Sequence, residues 1–134
     1  MINPSGEGEY GDLKLIRMTQ APDDAKPALD MLRSVGGDEM LAMMMQTFLQ
    51  FSEERVAKMV EEANLGNIPE VASIAHSLKS SARQLGALAL GEACAVTEAA
   101  GKAGQKEVAL DGVGAIQREF AAARPWLKTL AGEP

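Results

Sequence analysis

Apolar residues recur every three or four positions along most of this chain, the spacing that places them on one face of an α-helix. The longest such series lies between residues 38 and 63 and consists of Leu41, Met45, Phe48, Val56, Met59 and Ala63, with Ser52 occupying one place in it. Asp38 precedes the series as a suitable N-cap, and Leu65-Gly66-Asn67 interrupts it. The pattern therefore predicts a long amphipathic helix from about residue 38 to residue 63.

The same periodicity predicts further helices on both sides of this one, over residues 24–35, 67–85, 87–100 and 107–130. Gly36-Gly37 would end the first of them, because glycine tolerates the backbone conformation that terminates a helix. Asn67 is a candidate N-cap for the histidine-containing helix that follows, with Glu70 in the capping-box position.

No strand-like alternation of useful length is present in the sequence. Four long amphipathic helices with short connections predict an all-α fold, an antiparallel up-down four-helix bundle with an additional short N-terminal helix. Residues 1–22 are rich in Gly, Pro, Glu and Asp, and they are predicted to form a flexible leader. The bundle domain is expected to span residues 23–131.

The composition of the chain excludes several classes of site and of partner. The chain has a formal net charge of −6, one cysteine and one histidine. These counts exclude an internal disulfide framework and any metal site built from several cysteines or histidines. The acidic balance disfavours nucleic acid and anionic membranes as partners. No apolar run approaches the roughly 18 residues of a membrane span, and the first residues lack the pattern of a signal peptide, so a cytoplasmic protein is expected.

The single histidine, His76, lies on the third long stretch of helical periodicity. At about 100° per residue, the inward stripe of this helix falls within about 40° of the side opposite His76. Its members are Val71, Ile74, Leu78, Ser81 and Leu85. A lone histidine is more often structural or incidental than functional. The helical wheel excludes a core position, so the neighbours of His76 must decide between an incidental and a functional role.

Those neighbours favour a functional role for His76 over an incidental one. Three small residues share the exposed face with His76, namely Ala72, Ser73 and Ser80, and they leave room for another protein to approach the imidazole. Lys79 and Arg83 follow one and two turns later, and no acidic residue lies between Glu70 and Glu92. A neutral imidazole is a good nucleophile, and phosphoryl transfer requires chiefly positioning and stabilisation of charge. The pattern fits a phosphoryl acceptor, with Lys79 as one charged contact and Arg83 as a weaker one.

The segment His76-Ser77-Leu78-Lys79-Ser80-Ser81, followed by Leu85-Gly86, resembles the motif of the histidine phosphotransfer (HPt) domain family. The resemblance extends over residues 24–130 and includes Val35-Gly36-Gly37-Asp38-Glu39, Phe48, Cys94 and Glu98. The family commonly has glycine where this chain has Ser80, which is still small. The resemblance implies a phosphocarrier of multistep phosphorelays, in which His76 is phosphorylated and Lys79 orients or neutralises the phosphoryl group.

The resemblance also implies partners, namely the receiver domains of response regulators and of hybrid histidine kinases. Their acidic pocket holds the Mg²⁺ that transfer requires, so this chain would need no cofactor of its own, and family members are usually monomers. Met40, Met43 and Phe51 lie off the inward stripe of the long helix. Together with Gln84 and Gly86 they are predicted to line the docking surface, unless the short N-terminal helix covers the apolar three.

Two other classes of function compete with the phosphocarrier. A kinase dimerisation domain or another enzyme is disfavoured, because the chain has no glycine-rich nucleotide loop and Ser77 stands where histidine kinases usually have an acidic residue. A hydrolase is also disfavoured, because no second titratable residue lies near His76 in sequence to act as its partner. A carboxylate contributed by another helix stays an open alternative. The alternative is a helical adaptor that binds signalling partners without chemistry. The prediction is a phosphocarrier without autokinase or nucleotide-binding activity.

Overall fold

The computed structural model describes residues 7–133, and the side chains of residues 13–133. The helices within this range are α1 (Glu7–Thr19), α2 (Lys26–Asn64), α3 (Ile68–Gln84), α4 (Leu88–Lys102) and α5 (Lys106–Leu130), and a 3₁₀ turn at Asp23–Ala25 precedes α2. No strand occurs in the part of the chain that is described. The prediction of an all-α fold is confirmed.

Helices α2 to α5 enclose a main apolar core, and Ile68, Ala100 and Ala109 form a second, smaller apolar cluster. The most extensive contacts join α3 to α4 and α4 to α5, and α2 lies against both α3 and α5. The largest fully buried apolar side chains come from all four helices and include Leu41, Met45, Met59, Ile74, Leu78, Leu90, Ile116 and Leu127. Ser52 is also fully buried, as its place in the series of the long helix predicts. Burial of this apolar surface is the main force that holds the four helices together.

Non-helical backbone angles at Gly37 divide α2 into two helical segments, which correspond to the short helix and the long helix that the sequence predicts around Gly36-Gly37. Gly37 has φ 72° and ψ −171°, a conformation that residues with a Cβ rarely adopt. Asp38 was expected to cap a separate helix, but its carboxylate accepts a hydrogen bond from Arg33 Nε at 3.0 Å, across the break. Glycine therefore interrupts the helix at the position where the sequence predicts a stop, and the chain is helical again after it.

Helix α1 occupies part of the segment that was predicted to be a flexible leader. Residues Glu7–Thr19 are helical and pack against α5, whereas residues 1–6 lie outside the described range. From residue 13 onward, the large apolar side chains of α1 are about half exposed, among them Leu13, Leu15 and Ile16. The polar composition therefore gave no indication of this helix, which is only partly buried against the bundle.

Asn67 is the N-cap residue of α3, as predicted, but the capping box with Glu70 does not form. The Asn67 amide donates to Glu62 Oε2 at 2.7 Å, and Lys58 Nζ lies 3.2 Å from the other oxygen of the same carboxylate. These two hydrogen bonds, the one from Lys58 first, lower the pKa of Glu62. The Asn67 amide thus donates to a charged acceptor on α2 and not to a backbone group of α3. This hydrogen bond links the two helices at their connection.

Small residues allow α4 to approach its neighbours closely. A Cβ atom added at Gly101 of α4 would lie 2.8 Å from Cβ of Ala72 on α3. One added at Gly112 of α5 would lie 2.1 Å from Oγ1 of Thr97 on α4. Neither position can take a larger residue without moving a helix. The close approach brings the last turns of α4 within reach of the exposed face of α3.

Candidate functional site

His76 lies on the outward face of α3, as the helical wheel predicts. Its side chain is 62% exposed. The apolar members of the opposite stripe are buried, namely Val71, Ile74, Leu78 and Leu85, and Ser81 is half-buried. The core therefore fixes the rotation of α3 about its axis and with it the outward direction of His76.

A carboxylate from the neighbouring helix contacts the imidazole. Glu98 on α4 is only 5% exposed, and its Oε2 lies 2.7 Å from Nδ1 of His76. Its Oε1 accepts a hydrogen bond from Lys79 Nζ at 2.6 Å, and Oε2 also lies 2.9 Å from Lys102 Nζ. A single buried carboxylate thus joins two residues of α3 to one residue of α4.

The hydrogen bonds to Glu98 determine its charge. The hydrogen bond from Lys79, followed by those from Lys102 and His76, lowers the pKa of Glu98 to about 2, against the effect of burial. Glu98 is therefore ionised at neutral pH and can only accept hydrogen bonds. The proton of the neutral imidazole then resides on Nδ1, and the lone pair on Nε2 is free to react.

The positive patch expected around His76 is thus partly neutralised in the fold. The stretch between Glu70 and Glu92 contains no acidic residue, but Glu98, from outside that stretch, binds Lys79 directly. Sequence reasoning placed Glu98 only within a family resemblance and did not identify Lys102. One signal was available, because Leu90, Cys94 and Glu98 follow each other at intervals of four on α4. An acidic residue in an inward series requires a partner of opposite charge.

The three small residues predicted beside His76 have different surroundings. Ser73 and Ser80 are exposed, whereas Ala72 is buried at 5% exposure against Gly101. Ala72 therefore packs α3 against α4, and it also lines the cavity beside His76 as a small residue. A cavity of about 510 Å³ opens next to the imidazole and is lined by Pro69, Ala72, Ser73, His76, Glu98, Gly101 and Lys102.

Arg83 is directed toward α4. Its guanidinium lies 3.9 Å from Glu92, and its side chain crosses Gly91, where an added Cβ would lie 2.9 Å from Arg83 Cγ. Arg83 does not line the cavity beside His76. Its role as a second charged contact for the phosphoryl group stays a prediction.

A second recess, the methionine groove, lies between α2 and α3 and is lined by Met40, Met43, Met44, Thr47, Phe48, Phe51, Ser81, Gln84 and Leu85. Its volume is about 450 Å³, and Met43 is 61% exposed, so the short helix before Gly37 does not cover it. Four of the five predicted docking residues line this groove. The fifth, Gly86, is buried with φ 87°, and an added Cβ would lie 2.9 Å from Cβ of Ala25, so its inclusion in an exposed surface was wrong.

The other chemically distinctive residue, Cys94, is fully buried inside α4, as predicted, and burial raises the pKa of its thiol to about 12. Within the described residues, no group of three or more His, Cys, Asp and Glu side chains is arranged to hold a metal ion. No helix among them combines the length and apolar character needed to cross a membrane.

Comparison with known proteins agrees with this geometry. Residues 43–126 match the Hpt domain family. The fold is similar to that of histidine-containing phosphotransfer protein B (HptB) from Pseudomonas aeruginosa PAO1, with a TM-score of 0.75 and 26% sequence identity over 84% of this chain and 95% of that one. It is also similar to that of a putative histidine-containing phosphotransfer protein from rice, with a TM-score of 0.68 and 12% identity over 89% and 84% of the two chains. The rice structure shows the fold alone, and no curated protein matches the chain.

The family match spans more than half of the chain and includes the exposed histidine, the lysine one turn later and the buried carboxylate that joins them. The chain therefore belongs to the Hpt domain family and is a phosphocarrier of phosphorelays.

Proposed function

We propose that His76 accepts the phosphoryl group and that Nε2 is the atom that reacts. The observation that carries this proposal is the 2.7 Å contact between His76 Nδ1 and the ionised carboxylate of Glu98. It retains a proton on Nδ1, so that the nucleophilic lone pair lies on the other nitrogen. The exposure of the imidazole allows a second protein to reach that nitrogen.

Transfer then proceeds by one displacement at phosphorus. The Nε2 lone pair forms a bond to the phosphorus of an aspartyl phosphate on the receiver domain. The bond from phosphorus to the aspartate oxygen breaks, and the aspartate leaves as a carboxylate. Nδ1 keeps its proton, and the positive charge that develops on the ring faces Glu98, which stabilises it. The reverse displacement returns the phosphoryl group to a receiver, so the chain can pass it in either direction.

The partners proposed are the receiver domains of response regulators and of hybrid histidine kinases. Their acidic pocket would supply the Mg²⁺, and the chain would act as a monomer without autokinase or nucleotide-binding activity. The short connections at residues 65–67, 85–87 and 103–105 support an antiparallel up-down order for α2 to α5, with the segment before Gly37 and α1 as additions at the N-terminal end.

The methionine groove is the proposed docking surface for these receivers. Gln84 is eight residues after His76 on α3, a separation of roughly 12 Å along the helix axis. A domain seated in the groove would therefore also cover the imidazole. Methionine side chains adapt to differently shaped apolar surfaces, and Arg55, stacked on Phe51 with 5.3 Å between its guanidinium carbon and the ring centre, adds a cation beside the groove. An acidic receiver pocket complements that charge.

The experiment that tests the proposed function is phosphotransfer from a receiver domain carrying ³²P on its aspartate. We expect label on this chain that is stable in alkali and labile in acid, as phosphohistidine is. Peptide mapping should place the label on the segment that contains His76. Label on a different residue, or no label with any receiver of the source organism, contradicts the proposal.

The docking proposal predicts that Met43→Asp lowers affinity for a receiver roughly tenfold or more, because a charge would be buried against an apolar surface. Val108→Asp is the matched control, since Val108 is also an exposed apolar residue, at 46%, and lies on α5 outside the groove. Titration calorimetry or fluorescence anisotropy measures both variants. Equal affinities for the two variants would show that receivers dock elsewhere.

A further inference from the structure

Two lysines bind the Glu98 carboxylate, and their surroundings differ. The Lys79 side chain is 22% exposed, and its ammonium lies 2.6 Å from Oε1. The Lys102 side chain is 68% exposed, and its ammonium lies 2.9 Å from Oε2. Lys79 is therefore confined between α3 and α4, whereas Lys102, the last residue of α4, extends into solvent and can turn.

Lys102 also shares more of its surroundings with the imidazole. The oxygen that it contacts, Oε2, is the one that faces His76 Nδ1. Lys102 and His76 line the same cavity of about 510 Å³, and Lys79 does not line it. Of the two cations bound to Glu98, Lys102 is thus the one that already faces the space beside the reacting ring.

We propose that Lys102 leaves Glu98 when His76 is phosphorylated and binds the phosphoryl oxygens, while Lys79 remains the counter-ion of Glu98. This inference rests on the proposed function of His76. It assigns to Lys102 the contact with the phosphoryl group that the family resemblance assigns to Lys79, and it makes Lys79 a positioning residue.

The charges at the site support this exchange. Before transfer, one carboxylate faces two ammonium groups, which leaves one positive charge in excess. A phosphoryl group brings a charge of about −1.5 to −2, and the ring that carries it becomes positive beside Glu98. Lys102 then exchanges one anionic acceptor for another, and Glu98 retains both Lys79 and the charged ring. Lys79 is also the largest cause of the lowered Glu98 pKa, as its principal counter-ion should be.

The test uses phosphoramidate, a small phosphodonor that needs no docked partner, and ³¹P NMR to follow the phosphohistidine that forms. Lys102→Gln should shorten the lifetime of the phosphohistidine roughly fivefold, because one charge-assisted contact to its oxygens is lost. It should also raise the midpoint of the pH titration of the ³¹P resonance, and Lys102→Arg should restore both values. Lys106→Gln is the matched control, an exposed lysine at the start of α5, and should behave as the wild type.

Lys79→Gln separates the two lysines. It should slow the formation of phosphohistidine and leave the ³¹P titration near that of the wild type, because Lys102 is still present. Unchanged lifetime and titration in Lys102→Gln, or a larger titration shift in Lys79→Gln, would overturn the assignment. Absence of any phosphohistidine on the wild type would overturn the function of His76 and this inference with it, an outcome distinct from the other two.

Discussion

Replacement of His76 by glutamine is expected to abolish phosphoryl acceptance completely, because an amide has no nucleophilic nitrogen to replace Nε2. The fold should persist, since the side chain is 62% exposed and the buried face of α3 is untouched. We expect the free energy of unfolding to change by about 0.5 kcal/mol or less, as is usual for exposed positions. Transfer of ³²P from a receiver domain measures the first effect, and urea unfolding followed by circular dichroism measures the second.

Glu70→Gln provides the control for this variant. Glu70 is exposed in the first turn of the same helix, so a glutamine there tests whether substitution on α3 by itself disturbs transfer. The control should accept label at the rate of the wild type. Label that persists in His76→Gln would assign the chemistry to another residue, whereas loss of helical signal in that variant would make His76 a structural residue.

Replacement of Glu98 by alanine should have the second-largest effect. The imidazole then loses the acceptor that orients Nδ1, and the half-buried Lys79 loses its counter-ion. We expect transfer to slow roughly a hundredfold, within the range measured when groups that orient a reacting side chain are removed. Glu98→Gln separates the causes, because its amide oxygen still accepts a hydrogen bond but carries no charge. It should slow transfer roughly tenfold.

The same carboxylate should make stability depend on pH. Its pKa is lowered from 4.5 to about 2 in the fold, so folding favours the ionised form. Its contribution to stability is therefore fully present above about pH 4.5 and is lost as the pH falls toward 2. Urea unfolding across this interval should show the wild type losing stability more steeply than Glu98→Gln. Parallel unfolding curves for the two proteins would mean that the partners of Glu98 do not hold it ionised. Equal phosphotransfer rates for the wild type and the Glu98 variants would mean that Glu98 does not position His76.

The long helices and the orientation of His76 follow from local regularities of the sequence. A helix turns by a nearly constant angle per residue, so the positions of Val71, Ile74 and Leu78 define the buried side of α3 without knowledge of any neighbour. The exposure of His76 can therefore be predicted from the sequence alone, and the family motif around it can be recognised there. Met40, Met43 and Phe51 were recognised as lying off the inward stripe for the same reason, and they line one groove.

Only the tertiary structure decided what surrounds the imidazole. Glu98 and Lys102 are far from His76 in sequence, and they reach it because Gly101 and Ala72 let α4 approach α3 at close range. The spacing of residues along one helix does not indicate which other helix packs beside it or in what register. For the same reason the sequence showed a positive patch, whereas the fold holds a buried carboxylate between two lysines. The prediction that His76 is the nucleophile thus comes from the sequence, and the environment of its ring comes from the packing of α3 on α4.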